Sequence, residues 1–358
     1  MYQKHIDLGA KMVPFAGYEM PVSYAGIKQE HAAVRERVGM FDVSHMGEFL
    51  VKGPKAEALI NYVTSNDVSK LAPGKAQYSC LPNKTGGIVD DLLVYMVADN
   101  DYMLVVNGAC LDKDWAWISA ANEAFGADLT NVSDNIALMA VQGPKAVPVL
   151  QKLTAEVLAD IPFYQFRINE FAGVADVVIS NTGYTGSGGF EIYVDKDNAG
   201  KVWDAILEAG NDVGIEPTGL GCRDTLRLEM GYCLYGNDIT DETSPLEAGL
   251  GWITKLKKES DFISKDYFIQ QKEAGLTRKL VAIEMIDKGI PRQGYNICDE
   301  AGAEIGFITS GTQSPSLGKA IAMGYVNLPH NAVGSDVYVQ IRNKSIQGRV
   351  VKLPFYKA

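Results

Sequence analysis

What most limits the fold of this chain is an internal echo. Phe49-Leu50-Val51-Lys52-Gly53-Pro54-Lys55-Ala56 returns as Met139-Ala140-Val141-Gln142-Gly143-Pro144-Lys145-Ala146, each a short strand, a Gly-Pro turn and the start of an amphipathic helix. Tyr102–Val106 followed by a helix carrying Trp115 and Trp117 is matched in the same way by Phe190–Val194 and a helix carrying Trp203. Both pairs lie about ninety residues apart, which predicts two related α+β modules rather than a short-period solenoid. Strand–helix–strand units mixed with hairpins imply antiparallel sheets with helices on one face.

The texture changes near Thr277. Leu280–Met285, Tyr295–Cys298, Glu304–Thr309, Ala320–Val326, Asp336–Ile341 and Ile346–Val351 read as short strands between Gly, Asn and Asp turns. That pattern predicts a small all-β barrel or sandwich. The charged, helical Ser264–Gly275 joins it to the rest. Three modules follow, and their centre is the expected place for a ligand.

Charge and composition narrow the function. The net charge is −11, and Lys255–Lys258 is the one short basic patch, so a nucleic-acid surface is not expected. An anionic ligand would have to be held by a few placed arginines. No apolar run reaches membrane-spanning length, and Met1-Tyr2-Gln3-Lys4-His5 has neither a signal core nor a transit-peptide composition. The five cysteines are odd in number without a C-x-x-C pair, as expected of reduced thiols in a cytoplasmic protein. The four histidines, His5, His31, His45 and His330, show no paired ligand spacing, so no metal is expected.

Three segments are suited to chemistry. Gly86-Gly87-Ile88-Val89-Asp90-Asp91 reads as a tight glycine turn feeding the strand Leu92–Val97. Alternation sends Asp90 and Asp91 to opposite faces, one toward a pocket and one toward water. Tyr102–Val106 can pair with this strand as a hairpin and bring Asn107 near one aspartate. A surface hairpin with solvated carboxylates is the other reading of these residues. Asn181–Glu191 is a glycine-dense turn before a strand, either structural or a ligand loop in which Glu191 accepts N–H donors from a heterocycle; no Walker lysine follows it. Gly221–Glu229 reads as a helix with Arg223 and Arg227 on one face. Those guanidiniums either grip a carboxylate or pair with Asp224 and Glu229 as a solvated network. The aromatics between Tyr232 and Trp252 suit a flat ligand or a core.

Taken together these segments resemble the aminomethyltransferase (T-protein) family of the glycine cleavage system. The resemblance rests on Phe41-Asp42-Val43-Ser44-His45-Met46, Gly86–Leu92 with Val105-Val106-Asn107, Gly183-Tyr184-Thr185-Gly186 with Glu191, and Arg223-Asp224-Thr225-Leu226-Arg227-Leu228-Glu229. It continues through Leu234-Tyr235-Gly236-Asn237-Asp238, Thr309-Ser310-Gly311 with Ser314-Pro315-Ser316-Leu317, and Ala322-Met323-Gly324-Tyr325-Val326, in order over nearly the whole chain.

The resemblance implies an α+β, three-domain cloverleaf around a central folate cavity: two ferredoxin-like or related α+β modules and a jelly-roll-like C-terminal barrel. The implied domains are residues 1–48 with 137–276, an inserted domain of 49–136, and a barrel of 277–358. It implies Asp91 as the catalytic carboxylate, and folate contacts at Met46, Tyr78, Asp91, Asn107, Tyr184, Glu191, Arg223, Tyr232 and Tyr356. Arg223 or Arg292 is placed near the ligand's anionic parts. The implied reaction converts the aminomethyl-lipoyl group of H-protein to methylene-tetrahydrofolate, ammonia and the dihydrolipoyl arm, with tetrahydrofolate as acceptor and lipoylated H-protein as partner. Two alternatives share this fold: a folate-dependent demethylase and a non-catalytic folate-binding accessory protein. A missing flavin-binding segment weighs against an oxidase-linked relative. Met230-Gly231-Tyr232-Cys233-Leu234-Tyr235-Gly236 follows the aminomethyltransferase pattern rather than the Lys-Gly-Cys type of the accessory proteins.

Overall fold

The computed structural model describes residues 1–357, which compactness divides into two units. The first takes in Met1–Val63, Asp67–Ser79 and Leu92–Asp224; the second takes in Thr64–Asn66, Cys80–Asp91 and residues 225–357.

The internal echo becomes two sheets built on one plan. The first copy runs strand Gly47–Lys52, helix Ala56–Val63, strands Lys75–Pro82, Ile88–Ala98 and Asp101–Val106, helix Leu111–Asn122 and strand Asp128–Asn131. The second runs Ile136–Gln142, helix Ala146–Leu150, strands Phe166–Phe171, Val174–Ser180 and Gly189–Asp195, helix Ala199–Ala209 and strand Glu216–Pro217. Corresponding strands hold corresponding places in the five- and six-stranded sheets. The sixth strand, Gly39–Asp42, inserts beside Ile136–Gln142 and pairs parallel to Glu216–Pro217. With three strands between its two helices, each copy is the related form rather than a four-stranded ferredoxin-like sheet.

Alternating apolar residues explain the packing of the second copy. Met139, Val141, Val177, Ile179, Phe190, Ile192 and Val194 turn to one face, where they meet Val202, Trp203 and Ile206 of the Ala199–Ala209 helix in one buried cluster. In the first copy, Ile88–Ala98 and Asp101–Val106 form the expected hairpin, paired from Leu92↔Val106 to Ala98↔Asp101. Its tight turn has Asn100 in the left-handed region.

In the second unit six antiparallel strands, Arg278–Met285, Asn296–Cys298, Glu304–Gln313, Ala320–Asn327, Asp336–Ile341 and Lys344–Val351, close into a barrel. Closure leaves no sheet edge exposed, and Ile283, Ile297, Ile308, Val326, Val337 and Val339 fill the interior. The helix Lys265–Ala274 precedes the barrel. The chain is thus mixed α+β with a C-terminal six-stranded barrel. Among the described residues no helix is long and apolar enough to cross a membrane.

Candidate active site

The first unit brings Tyr184, Glu191 and Arg223 together. The glycine-dense loop before the Gly189–Asp195 strand needs its glycines. Gly189 has φ +125°, and a Cβ there would stand 2.1 Å from the Val141 carbonyl oxygen. The loop delivers Glu191 to the strand, where Oε2 accepts from Thr182 Oγ1 at 2.5 Å and Tyr193 Oη at 3.5 Å. Tyr95 Oη braces the same group, 3.1 Å from each of the Ser180, Thr182 and Tyr193 hydroxyls. Oε1 of Glu191 accepts from no described residue. Burial raises the Glu191 pKa, against the opposing pull of the Thr182 bond, the Arg223 charge and the Tyr193 bond. The Arg223 guanidinium lies 4.5 Å from the centroid of the Tyr184 ring, in cation–π range.

Arg223 also acts on His45. Burial, then the Arg223 charge, lowers the His45 pKa to about 4, with Asp42 opposing, so the imidazole is neutral. The His45 ring meets Phe15 edge-on at 5.2 Å, and its Cδ2 would stand 3.1 Å from a Cβ on Gly108. Met46 and Asn107 share this corner: they flank the pair Gly47↔Val106 at the end of two bonded strands. Tyr78 lies within the strand Lys75–Pro82.

The second unit carries Asp91, Tyr232 and Tyr356. The Gly86-Gly87 turn has Gly86 at φ +86°, and a Cβ on Gly87 would stand 1.7 Å from the Asp241 carbonyl oxygen. Asn83 ties the turn: Oδ1 accepts from the Gly87 amide at 2.8 Å, and Nδ2 donates to the Asp241 carbonyl at 2.8 Å. The reading as a surface hairpin with solvated carboxylates is therefore overturned. Asp90 is fully buried and Asp91 half-buried, on opposite faces as alternation requires. The thiols of Cys80 and Cys233, raised by burial, are raised further by the Asp91 charge.

Arg227 corrects a second expectation. It does not lie in a solvated network. At 1% exposed it donates from Nη1 to Asp238 Oδ2 at 2.6 Å and to the Tyr232 carbonyl at 3.0 Å, and from Nη2 to Ser310 Oγ at 2.8 Å. Asp238 also accepts from Thr309 Oγ1 at 2.5 Å, Ser310 Oγ at 3.0 Å and the Leu234 amide at 3.0 Å. Tyr232 is thus anchored through a buried ion pair.

Tyr356 is anchored by Glu229, whose carbonyl accepts from the Phe355 and Tyr356 amides at 2.9 and 3.1 Å. The Glu229 carboxylate takes the Ser314 hydroxyl at 2.5 Å and the Ser316 hydroxyl at 2.9 Å. Arg292 is exposed and donates to the Gly311 carbonyl at 3.0 Å; Arg223 is the arginine of the Tyr184–Glu191 group.

All nine expected ligand residues are half-buried. No group of three His, Cys, Asp or Glu side chains among the described residues is arranged to hold a metal. Reading the sequence for chemistry missed Thr182, Tyr95, Tyr193, Asp238 and the supporting role of Glu229. Thr182 stands inside the glycine-dense segment, so its position was a usable signal; nothing local marks Tyr95 or the partner of Arg227.

Comparison with known proteins defines the class first. The GCVT N-terminal domain family matches residues 1–258, and the glycine cleavage T-protein C-terminal barrel domain family matches 278–357. An aminomethyltransferase from Flavobacterium psychrophilum is 58% identical over 353 residues, covering 99% of this chain and 97% of that one. One from Bacteroides thetaiotaomicron is 56% identical over 355 residues, covering 99% and 98%. The crystal structure of glycine cleavage system aminomethyltransferase T from Bartonella henselae superposes with a TM-score of 0.92 at 34% identity, covering 99% of this chain and 96% of that one. The chain belongs to the aminomethyltransferase (T-protein) family of the glycine cleavage system. It is a transferase of that family, and the demethylase and accessory-protein alternatives are not favoured.

Proposed function

We propose that the chain transfers the one-carbon unit of the aminomethyl-lipoyl group on H-protein to tetrahydrofolate. The carbon gives up its bonds to nitrogen and sulfur and gains bonds to folate N5 and N10, so ammonia and the dihydrolipoyl arm are released. The group that carries this reading is Tyr184–Arg223–Glu191. Glu191 keeps Oε1 open while Oε2 is fixed by Thr182, a geometry suited to N–H donors of the pterin's amino-pyrimidine edge. Arg223, held over Tyr184, supplies positive charge toward the ligand's anionic part.

Met46, Tyr78 and Asn107 are further folate contacts of this reading, as are Asp91, Tyr232 and Tyr356. The carbon turns cationic as its leaving group departs, and the Asp91 carboxylate stabilises that iminium character electrostatically. The protein's part is orientation and fixed charge, while folate forms the covalent bonds. Odd-numbered cysteines without a C-x-x-C pair suit a reducing cytoplasm.

The test is release of ammonia from aminomethylated, lipoylated H-protein with and without tetrahydrofolate. The reading requires strong stimulation by folate, and equal rates in its absence would refute it.

A further inference from the structure

The glycine-dense loop that carries Tyr184 is braced by a buried amide. Gln142, 2% exposed, ends the strand Ile136–Gln142 and turns its side chain onto that loop. Nε2 donates to the Thr182 carbonyl at 3.2 Å and, more weakly, to the Val141 carbonyl at 3.4 Å. Oε1 accepts from the Thr185 hydroxyl at 2.7 Å. A carbonyl can only accept, so the partners fix which end of the amide points where. One side chain thus holds the residue before Gly183-Tyr184 and the residue after it. The fit is close: a Cβ on Gly183 would stand 2.1 Å from Gln142 Oε1. Glycine is what admits the amide there.

The internal repeat shows that the fold plan does not itself require this brace. Lys52 holds the matching place in the first copy, ahead of Gly53-Pro54 as Gln142 is ahead of Gly143-Pro144. Register agrees: Lys52 pairs with Asp101 and Gln142 with Gly189, each partner the first residue of its strand. Yet Lys52 is 45% exposed and donates to Asp101 Oδ2 at 3.1 Å. There the hairpin closes in a tight turn between Ala98 and Asp101. In the second copy the strands Val174–Ser180 and Gly189–Asp195 are joined by the Tyr184 loop instead. Arg35 fastens that loop beyond Tyr184, donating from Nη1 to the Thr185 carbonyl at 2.6 Å and to Ser187 Oγ at 2.7 Å. The share left to Gln142 is the Gly183-Tyr184 stretch.

We propose that Gln142 is a positioning residue for the folate site, fixing Gly183-Tyr184 so that the Tyr184 ring is already set against Arg223 when the ligand arrives. A contact that is ordered beforehand costs less entropy on binding than a mobile one. The inference rests on the folate reading above.

The experiment labels the full chain with fluorotyrosine and compares ligand-free fluorine NMR spectra of wild type and Gln142→Met. The Tyr184 resonance is identified by its loss in Tyr184→Phe. Tetrahydrofolate is then titrated into wild type and Gln142→Met by calorimetry. In Gln142→Met the Tyr184 resonance should shift or broaden while tyrosines remote from the loop keep theirs, and folate Kd should weaken about fivefold or more. An unchanged Tyr184 resonance, or an unchanged Kd, overturns this proposal and leaves the folate reading intact. Changes spread over the remote tyrosines mark a general structural loss and overturn it as well. Should Gln142→Met fail to fold, Thr185→Val, which withdraws the hydroxyl that Oε1 accepts, is held to the same outcomes. A wild-type protein that binds no folate overturns both readings.

Discussion

Replacing Asp238 by Asn should be among the most damaging single changes in the second unit, and the structure says by how much. Asp238 is fully buried and accepts from the Arg227 guanidinium, two hydroxyls and the Leu234 amide. Asparagine keeps the shape but removes the negative charge that Asp238 sets against Arg227, itself 1% exposed. Breaking a buried pair from one side costs about 3–5 kcal/mol. A domain is held by only about 5–15 kcal/mol in total, so that loss is a large share. The assay is urea unfolding followed by tryptophan fluorescence. Trp252 belongs to the second unit and the other three tryptophans to the first, so single-tryptophan variants read the units separately. The Trp252 transition should move to lower urea. Because Arg227 also holds the Tyr232 carbonyl, folate Kd should rise in the variant. A loss below about 1 kcal/mol, the range of exposed ion pairs, would refute the buried-network account.

Other outcomes follow from the same geometry. Asp91→Asn should keep folate binding largely intact and cut turnover at least about tenfold, equivalent to roughly 1.4 kcal/mol of barrier; near-normal turnover removes Asp91 from the chemistry. Glu191→Ala should weaken folate binding in a calorimetric titration, and an unchanged Kd would contradict its placement. His45 gives a pH signature. Its folded pKa is about 4 against 6.5 for an ordinary imidazole, so between those values the unfolded chain binds a proton that the folded chain does not. Its contribution is therefore fully present above about pH 6.5 and declines as the pH falls toward 4, by up to roughly 3 kcal/mol. His45→Asn should flatten that part of the stability curve, and parallel curves for the two proteins would rule the effect out.

Where the fold could be read locally, it was. The Gly-Pro turns after two similar strands announce the repeat, because a turn residue and an alternating apolar run are short-range signals. The barrel strands are legible for the same reason, with their ends shifted, most of all in the third, which runs on from Thr309 to Gln313. The sixth strand of the larger sheet, Gly39–Asp42, is different: its apolar Met40 and Phe41 do not say which sheet will receive them. Parallel pairing with Glu216–Pro217 joins residues far apart in the chain, and no local pattern encodes that choice.

The site divides along the same line. By itself the sequence determined which residue types were available: a glycine loop ahead of Glu191, two arginines one helical turn apart, and two adjacent aspartates on a strand. Their ordered spacing was enough to carry the family resemblance. Only the tertiary structure decided their roles. Arg223 and Arg227 look interchangeable on a helix, yet Arg223 lies over Tyr184 beside Glu191 while Arg227 is consumed by Asp238. Asp90 and Asp91 are chemically identical neighbours, and burial alone separates them. Charge partners and desolvation are properties of what surrounds a side chain, and for these residues the surroundings come from distant parts of the chain.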